Sequence, residues 1–303
     1  MPAVSVIIPN YNHSKFLVQR IESVLNQTFQ DFEIILMDDC STDDSRTILA
    51  QYSSNPKVTH TVFNEKNSGS TFKQWEKGIN LAKGDYIWLA ESDDWCDPTM
   101  LDYLVAGIRK DPECVISYCQ SYCVRDTNQI LWVSQHNYLE EVMEGKLFAR
   151  TRMLISNPIF NASMVLWKRK FFPEISEEFK NYRLSGDWIF WMELANRGKV
   201  HISGRVLNYF RKHENDVSGE AFRSGLNFIE ALKIISSLYT RKLISKEDCY
   251  KAFKIQYRSY YPIRKNLDTA FREEIDRLFK RLPVPMPVYY KVLLSAYWKH
   301  LKH

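Results

Sequence analysis

The 303-residue sequence predicts an α/β fold: a mostly parallel, Rossmann-like sheet flanked by helices, with a helical extension at the carboxyl end. Three observations carry that expectation. Short β-branched runs alternate with helix-period stretches through the first ninety or so residues. Two of these runs empty into acids, Asp38–Asp39 and then Glu91, Asp93 and Asp94. Beyond about residue 218 the strand-like runs stop and only helical periodicity remains.

Taken in order, residues 4–8 form the first strand, halted by Pro9, and Phe16, Leu17, Ile21, Val24 and Leu25 recur at helical spacing behind the capping candidates Asn12 and Ser14. Residues 34–37 make a second strand ending at Asp38 and Asp39, residues 58–63 a third, and residues 70–82 a helix. Residues 86–90 read as a buried strand delivering Glu91, Asp93 and Asp94 to the carboxyl edge of the sheet, where ligands bind in open α/β folds. Clustered hard oxygens there suit Mg²⁺ or Mn²⁺, and a cation relieves the repulsion between neighbouring carboxylates. A solvated acidic loop before Pro98 is the plainer alternative.

A helix follows at 98–108, then strands at 114–122 and 130–133, the second antiparallel. Residues 136–160 lack a strong period and suit an acceptor-side loop with a short helix near 144–150; an apolar strand follows at 161–167. In SGDWIFWMELANRGKV, Ile189, Met192 and Leu194 mark a helix closing at Gly198, so Asp187 falls in its first turn, where the helix dipole also favours a carboxylate. His201 reads as an ordinary strand residue.

Composition bounds the class. No stretch reaches the roughly 18–20 apolar residues of a membrane span and no signal-like start is visible, which predicts a cytoplasmic protein. The six cysteines lack paired metal spacing and read as reduced thiols. No GxGxxG or P-loop follows the first strand, which argues against a dinucleotide dehydrogenase or an NTPase. The net charge of +5 hides an asymmetry: from Arg241 onward there are 15 basic and 6 acidic residues. That tail reads as helices near 220–241, 246–261, 267–281 and 287–301. In the last, Tyr289, Tyr290, Tyr297 and Trp298 mix with Lys291, Lys299, His300 and Lys302, which fits either a helix lying on anionic lipid at the inner face of the cell membrane or one packed on the body or on a second subunit of a homodimer.

The motifs VSVIIPNYN, SVLNQTF, EIILMDDCSTDDS, NSGSTFKQWEKGINLAKGDYI, ESDDW and SGDW, in that order over residues 3–215, resemble the inverting glycosyltransferases of family 2, which have the GT-A nucleotide-sugar-binding fold. The resemblance implies a catalytic domain at 1–218, a basic helical region at 219–303, and transfer of a sugar from a nucleotide-diphosphate donor, UDP first among them, to a glycan or lipid-linked acceptor in surface-polysaccharide assembly, with no nucleic-acid partner. It makes Asp187 the general base. Asp94 becomes the leading ligand of a Mn²⁺ or Mg²⁺ ion, with Asp93 beside it or on the donor's hydroxyls, and His213 in YFRKHENDVS a further ligand or diphosphate contact. Pro9, Tyr11 and Asn12 would wrap the base, Asp39 would accept the uracil N–H while Asp38 braces the loop, and Lys73 and Arg211 would meet the diphosphate. Glu91 stands where many relatives carry aspartate. A binding subunit without catalysis and a glycoside hydrolase are the competing classes; the presence of Asp93, Asp94 and Asp187 argues against the first, and the nucleotide-fold motifs against the second.

Overall fold

The computed structural model describes residues 1–125, 129–213 and 224–301, with side chains described as far as Ser295. Strands β1 (Val4–Asn10), β2 (Phe32–Asp38), β3 (Val58–Phe63) and β4 (Tyr86–Leu89) pair in parallel in the order β3-β2-β1-β4. Every residue of β1 and β2 is buried, whereas β3, at the sheet edge, is half-buried. The difference follows from helices covering both faces of the inner strands, which is why β1 and β2 read as unbroken apolar runs. The covering helices here are α1 (Ser14–Leu25), α2 (Ser45–Tyr52) and α3 (Thr71–Leu81).

After β1 the chain winds outward through β2 and β3, then returns to place β4 on the other flank of β1. This reversal leaves a crevice beyond the carboxyl ends of β1 and β4, the place where open α/β sheets take their ligands. Past β4, the sheet continues through β5 (Trp95–Cys96), helix α4 (Met100–Arg109), β6 (Cys114–Arg125), β7 (Ile130–Val133), β8 (Glu140–Glu144), helices α5 (Gly145–Phe148) and α6 (Leu154–Ser156), β9 (Val165–Lys168), helix α7 (Gly186–Ala195) and β10 (Lys199–Lys212). The sheet is therefore parallel in two blocks, β3-β2-β1-β4 and β6-β10; β9 joins them antiparallel to both β4 and β6, and β5, β7 and β8 add antiparallel edges.

Two local departures from the sequence reading have causes. The strand expected from residue 161 begins at Val165, because residues 162–164 turn in a 3₁₀ step that aims Asn161 and Ser163 at Asp94. The short helix near 144–150 widens after Phe148 into a π-helical turn, Ala149–Met153. His201 is a core residue, as its alternation suggested: its Nδ1 bonds Ser117 Oγ at 2.8 Å, and burial pushes its pKa down to about 4. Helix α4 reaches this ring only because residue 107 is glycine, since a Cβ there would lie 2.1 Å from the imidazole.

The carboxyl-terminal helices are α8 (Leu226–Thr240), α9 (Lys246–Ile263), α10 (Thr269–Arg281) and α11 (Met286–Leu301); residues 220–223, expected in the first of them, lie outside the described residues. Helix α9 opens with a reciprocal cap between Ser245 and Asp248. Aromatic rings fill the helix contacts, with Phe253 against Phe279 and Tyr260 against Phe228. Helix α11 lays Tyr289 on Phe253 at 5.3 Å and buries Val292, while Tyr290 and Leu294 face outward. One face of this helix is thus packed on the body. Its residues Tyr297, Trp298, Lys299 and His300 lie beyond the described side chains, and Lys302 lies outside the described residues. Among the described residues no helix is long and apolar enough to cross a membrane, and the six cysteines are free thiols, five of them buried.

Candidate active site

At the end of β1 the chain turns through Asn12, whose φ of 56° sets it in the left-handed region. Its Oδ1 accepts from Thr42 N at 2.8 Å, tying the loop after β1 to the loop after β2. Pro9 is buried within β1, while Tyr11 stands in the turn with 46% of its surface exposed. Asp38 is buried and braces this junction, accepting from Asn10 Nδ2, Ser41 N and Arg46 Nε. Asp39, expected to meet a uracil, is also buried; its carboxylate accepts from Asn64, Gln74 and both the amide and hydroxyl of Ser68. Lys73 is exposed at the start of α3, its Nζ 3.2 Å from the carbonyl of Ser68. Asn10 Oδ1, Ser70 Oγ and Gln74 Oε1, all around these two acids, are buried without a hydrogen-bond partner.

The acids after β4 face different surroundings. Asp94 is 1% exposed, and its carboxylate accepts from Asn161, Ser163 and the backbone N–H of Arg211, with Arg20 Nη2 at 3.9 Å. Arg20 is itself fully buried and also donates to the Glu91 carbonyl and Ser163 Oγ. Burial and the charge of Asp93 push the Asp94 pKa up to about 7, against the pull of Arg20. The expected leading metal ligand is therefore walled into the floor of the crevice, both oxygens committed to protein donors. Glu91 receives the indole N–H of Trp75 at 3.0 Å, and burial, then Asp93 and Asp94, raise its pKa to about 8. Three acids within four residues need not all be ionised.

Asp93 turns the other way. His213 Nε2 lies 3.2 Å from its Oδ2, and His13, just before α1, lies close by, the two imidazole rings 5.3 Å apart. Burial opposes the Asp93 charge, but the His213 hydrogen bond and the nearby imidazoles outweigh it and hold the pKa below the ordinary carboxylate range. Burial also lowers the His13 pKa, against the pull of Asp93. His13, Asp93 and His213 each present one donor atom, all within 4.8 Å of one another, a group among the described residues that could hold a divalent cation.

Arg211 is enclosed beside Asp93. It is 3% exposed, and its guanidinium lies 4.4 Å from both the Phe16 and the Trp95 ring centroids while donating to the Asp93 carbonyl and Gln19 Oε1. Trp95 stacks in turn on Tyr209, and Tyr209 on Tyr122. The guanidinium is held between rings, where it fixes the peptide of Asp93.

Across the crevice, α7 begins at Gly186, where a Cβ would lie 2.2 Å from the carbonyl of Phe179. Asp187 occupies the first turn, partly exposed, with Oδ1 accepting from Trp188 N at 2.7 Å. Loss of hydration raises its pKa to about 7 despite that bond. Helix α7 is joined to the acids through Trp75, whose ring packs on Phe190 and Trp191 while its N–H holds Glu91. From α8, the buried carboxylate of Glu230 accepts three consecutive backbone N–H groups, Arg183 at 2.8 Å, Leu184 at 3.0 Å and Ser185 at 2.7 Å, immediately before α7. Replacing Glu230 with alanine leaves these amides unanswered, and urea unfolding is expected to show a loss of about 3 kcal/mol. A separate cavity of about 630 Å³, lined by Lys146, Arg150 and Arg241 among others, lies by the far end of α7.

Residues 5–175 match the family description "Glycosyl transferase family 2". The chain belongs to this family. Among relatives, glycosyltransferase GlyG of Streptococcus pneumoniae is 34% identical over 139 residues, 46% of each chain. The putative teichuronic acid biosynthesis glycosyltransferase TuaG of Bacillus subtilis is 26% identical over 224 residues, 74% of this chain and 84% of that protein. The chondroitin synthase of Escherichia coli is 38% identical over 112 residues, 37% of this chain and 16% of that protein. The match thus spans less than half the length of the first and last of these relatives. The structure of S. aureus TarS 1-349 in complex with UDP-GlcNAc superimposes with a TM-score of 0.73 at 19% identity, over 94% of this chain and 82% of that one, which establishes the GT-A fold. His13, Arg20, Asn161 and Ser163 gather around Asp93 and Asp94, and Glu230 holds the backbone before α7; sequence reasoning singled out none of the five. His13 carried one usable signal: it follows the first strand at the same sheet edge as Asp93.

Proposed function

We propose that this glycosyltransferase moves a sugar from a UDP-sugar to a hydroxyl of a glycan or lipid-linked acceptor by single displacement with inversion, in the assembly of a surface polysaccharide. The observation that carries the reading is two differently tuned carboxylates joined by one packed link: Asp93, held below the ordinary carboxylate range beside two histidines, and Asp187, raised to about 7 at the start of α7, whose Phe190 and Trp191 pack on the Trp75 that holds Glu91. TarS binds UDP and UDP-GlcNAc in its solved structures, and the name of TuaG refers to teichuronic acid; both support donor and setting.

In this mechanism Tyr11, exposed in the turn after β1, packs on the uracil. Asp39, already carrying four protein donors, shapes the pocket and offers its remaining lone-pair capacity to the base. Lys73, on an exposed flexible stem, is placed to reach the diphosphate. His13, Asp93 and His213 hold the cation, and two imidazoles with one carboxylate favour Mn²⁺ over Mg²⁺. When bound, that cation neutralises charge developing on the leaving diphosphate. Asp94, paired with Arg20, fixes the turn from which Asp93 projects, and Arg211 clamps the Asp93 peptide. Asp187 accepts the proton of the attacking hydroxyl from the face opposite the leaving group, which inverts the anomeric carbon.

A panel of nucleotide sugars, screened for Mn²⁺-dependent release of the nucleotide with and without saccharide acceptors, tests the assignment. Turnover of a UDP-sugar that rises on adding acceptor is expected. Cleavage of oligosaccharides without any nucleotide, or donor binding without turnover across all acceptors, would overturn it.

A further inference from the structure

An acceptor sugar needs a surface that holds it still beside Asp187. The segment from Met153 to Asn161 spans the crevice between the two chemical groups: the carbonyl of Met153 accepts the indole N–H of Trp188, next to Asp187, and Asn161 donates to Asp94. Along that bridge Asn157 adopts a left-handed backbone with φ of 37°, redirecting the chain so that Ile159 is buried and Phe160 emerges. The Phe160 ring meets Trp132 of β7, centroids 4.7 Å apart and planes at 60°. Strand β7 pairs with the last residues of β6, at the same carboxyl edge of the sheet as His213, with Trp132 opposite Cys123. Both rings remain more than a third exposed, Phe160 at 37% and Trp132 at 39%.

Two large rings left in water beside a polar crevice mark an interaction site, and binding sites are lined by such rings with a few polar groups fixing orientation. The neighbours define the occupant. One end of the bridge holds Trp188, next to the Asp187 that needs a hydroxyl, and the other holds Asp94. A pyranose meets both demands, because its C–H face is apolar and flat enough to cover a ring while its hydroxyls project sideways. We propose that Trp132 and Phe160 form the platform for the terminal pyranose of a saccharide acceptor, holding one of its hydroxyls toward Asp187. The assignment rests on the transferase reading for the identity of that sugar as acceptor, although the sugar-binding surface can be tested without it.

The full chain is applied to an array of pyranosyl oligosaccharides, wild type beside Trp132→Ala, Phe160→Ala and Trp132→Tyr, with thermal unfolding recorded for each. Retention of at least one saccharide by the wild type is expected. Each alanine variant should weaken retention by about tenfold, while the tyrosine variant keeps most of it. With an active donor, the same changes should appear in KM for the saccharide and not in KM for the donor. The platform is overturned if the wild type binds no saccharide, if the alanine variants bind as the wild type does, or if only alkyl chains are retained, which would make the rings a lipid contact. Saccharide binding that follows this pattern in a chain hydrolysing no nucleotide sugar would overturn the transferase reading and leave the sugar platform in place.

Discussion

Asp187→Asn is expected to reduce transfer to a saccharide acceptor by about 10²- to 10⁴-fold, with KM for the donor little changed. The asparagine keeps the size and the acceptor oxygen that Trp188 N requires but cannot take a proton. The pH profile gives a second handle. With burial raising the Asp187 pKa to about 7, the base is protonated below that pH and free above it, so wild-type kcat/KM should climb through neutrality. The variant's residual activity should lack that limb. Stability moves in the opposite direction. The folded state holds this proton up to about pH 7, whereas an unfolded aspartate loses it near 4, so folding is penalised progressively as pH rises between those values. Removing the carboxyl should therefore raise the melting temperature at pH 8 by a few degrees and leave it unchanged at pH 4. Equal transfer rates with a true acceptor would sink the base assignment.

A second large effect is expected at Asp93, and its contrast with Asp94 is the informative part. Asp93→Ala should weaken Mn²⁺ binding by at least about a hundredfold in calorimetry and lower transfer by about 10²- to 10³-fold, with only a small change in unfolding. His213→Ala should follow the same pattern, and a chelator should abolish wild-type transfer until Mn²⁺ is returned. Asp94→Ala should instead lower stability by about 3 to 5 kcal/mol, because it strands the fully buried Arg20 without its counter-charge. If Asp94→Ala proves well folded and blind to Mn²⁺ while Asp93→Ala binds normally, the division of labour between these neighbours is reversed.

That division marks the limit of what the sequence displayed. The two strands running into acids were legible because an apolar run that empties into carboxylates suits a buried strand reaching the edge of its sheet, and Asp187 was legible because helical periodicity and a closing glycine fix its turn. Which of two adjacent aspartates faces the crevice is a different kind of question. It is decided by donors remote along the chain, Asn161 at 67 residues and Arg211 at 117, whose approach depends on β9 and β10 pairing beside β4 and β6. Arg20 was invisible for a related reason. Within SKFLVQRIESVL a charged residue reads as solvent-facing, and only the turn after β4 converts it into a buried partner. The aromatic sandwich around Arg211 is announced by no local pattern either. The antiparallel insertion of β9 was likewise hidden, since an apolar run of that length suits either direction.

Glu230 ties the carboxyl-terminal helices to the backbone that leads into α7, one carboxylate across three consecutive amides. A change that tilts or removes α8 therefore pulls directly on the turn that carries Asp187.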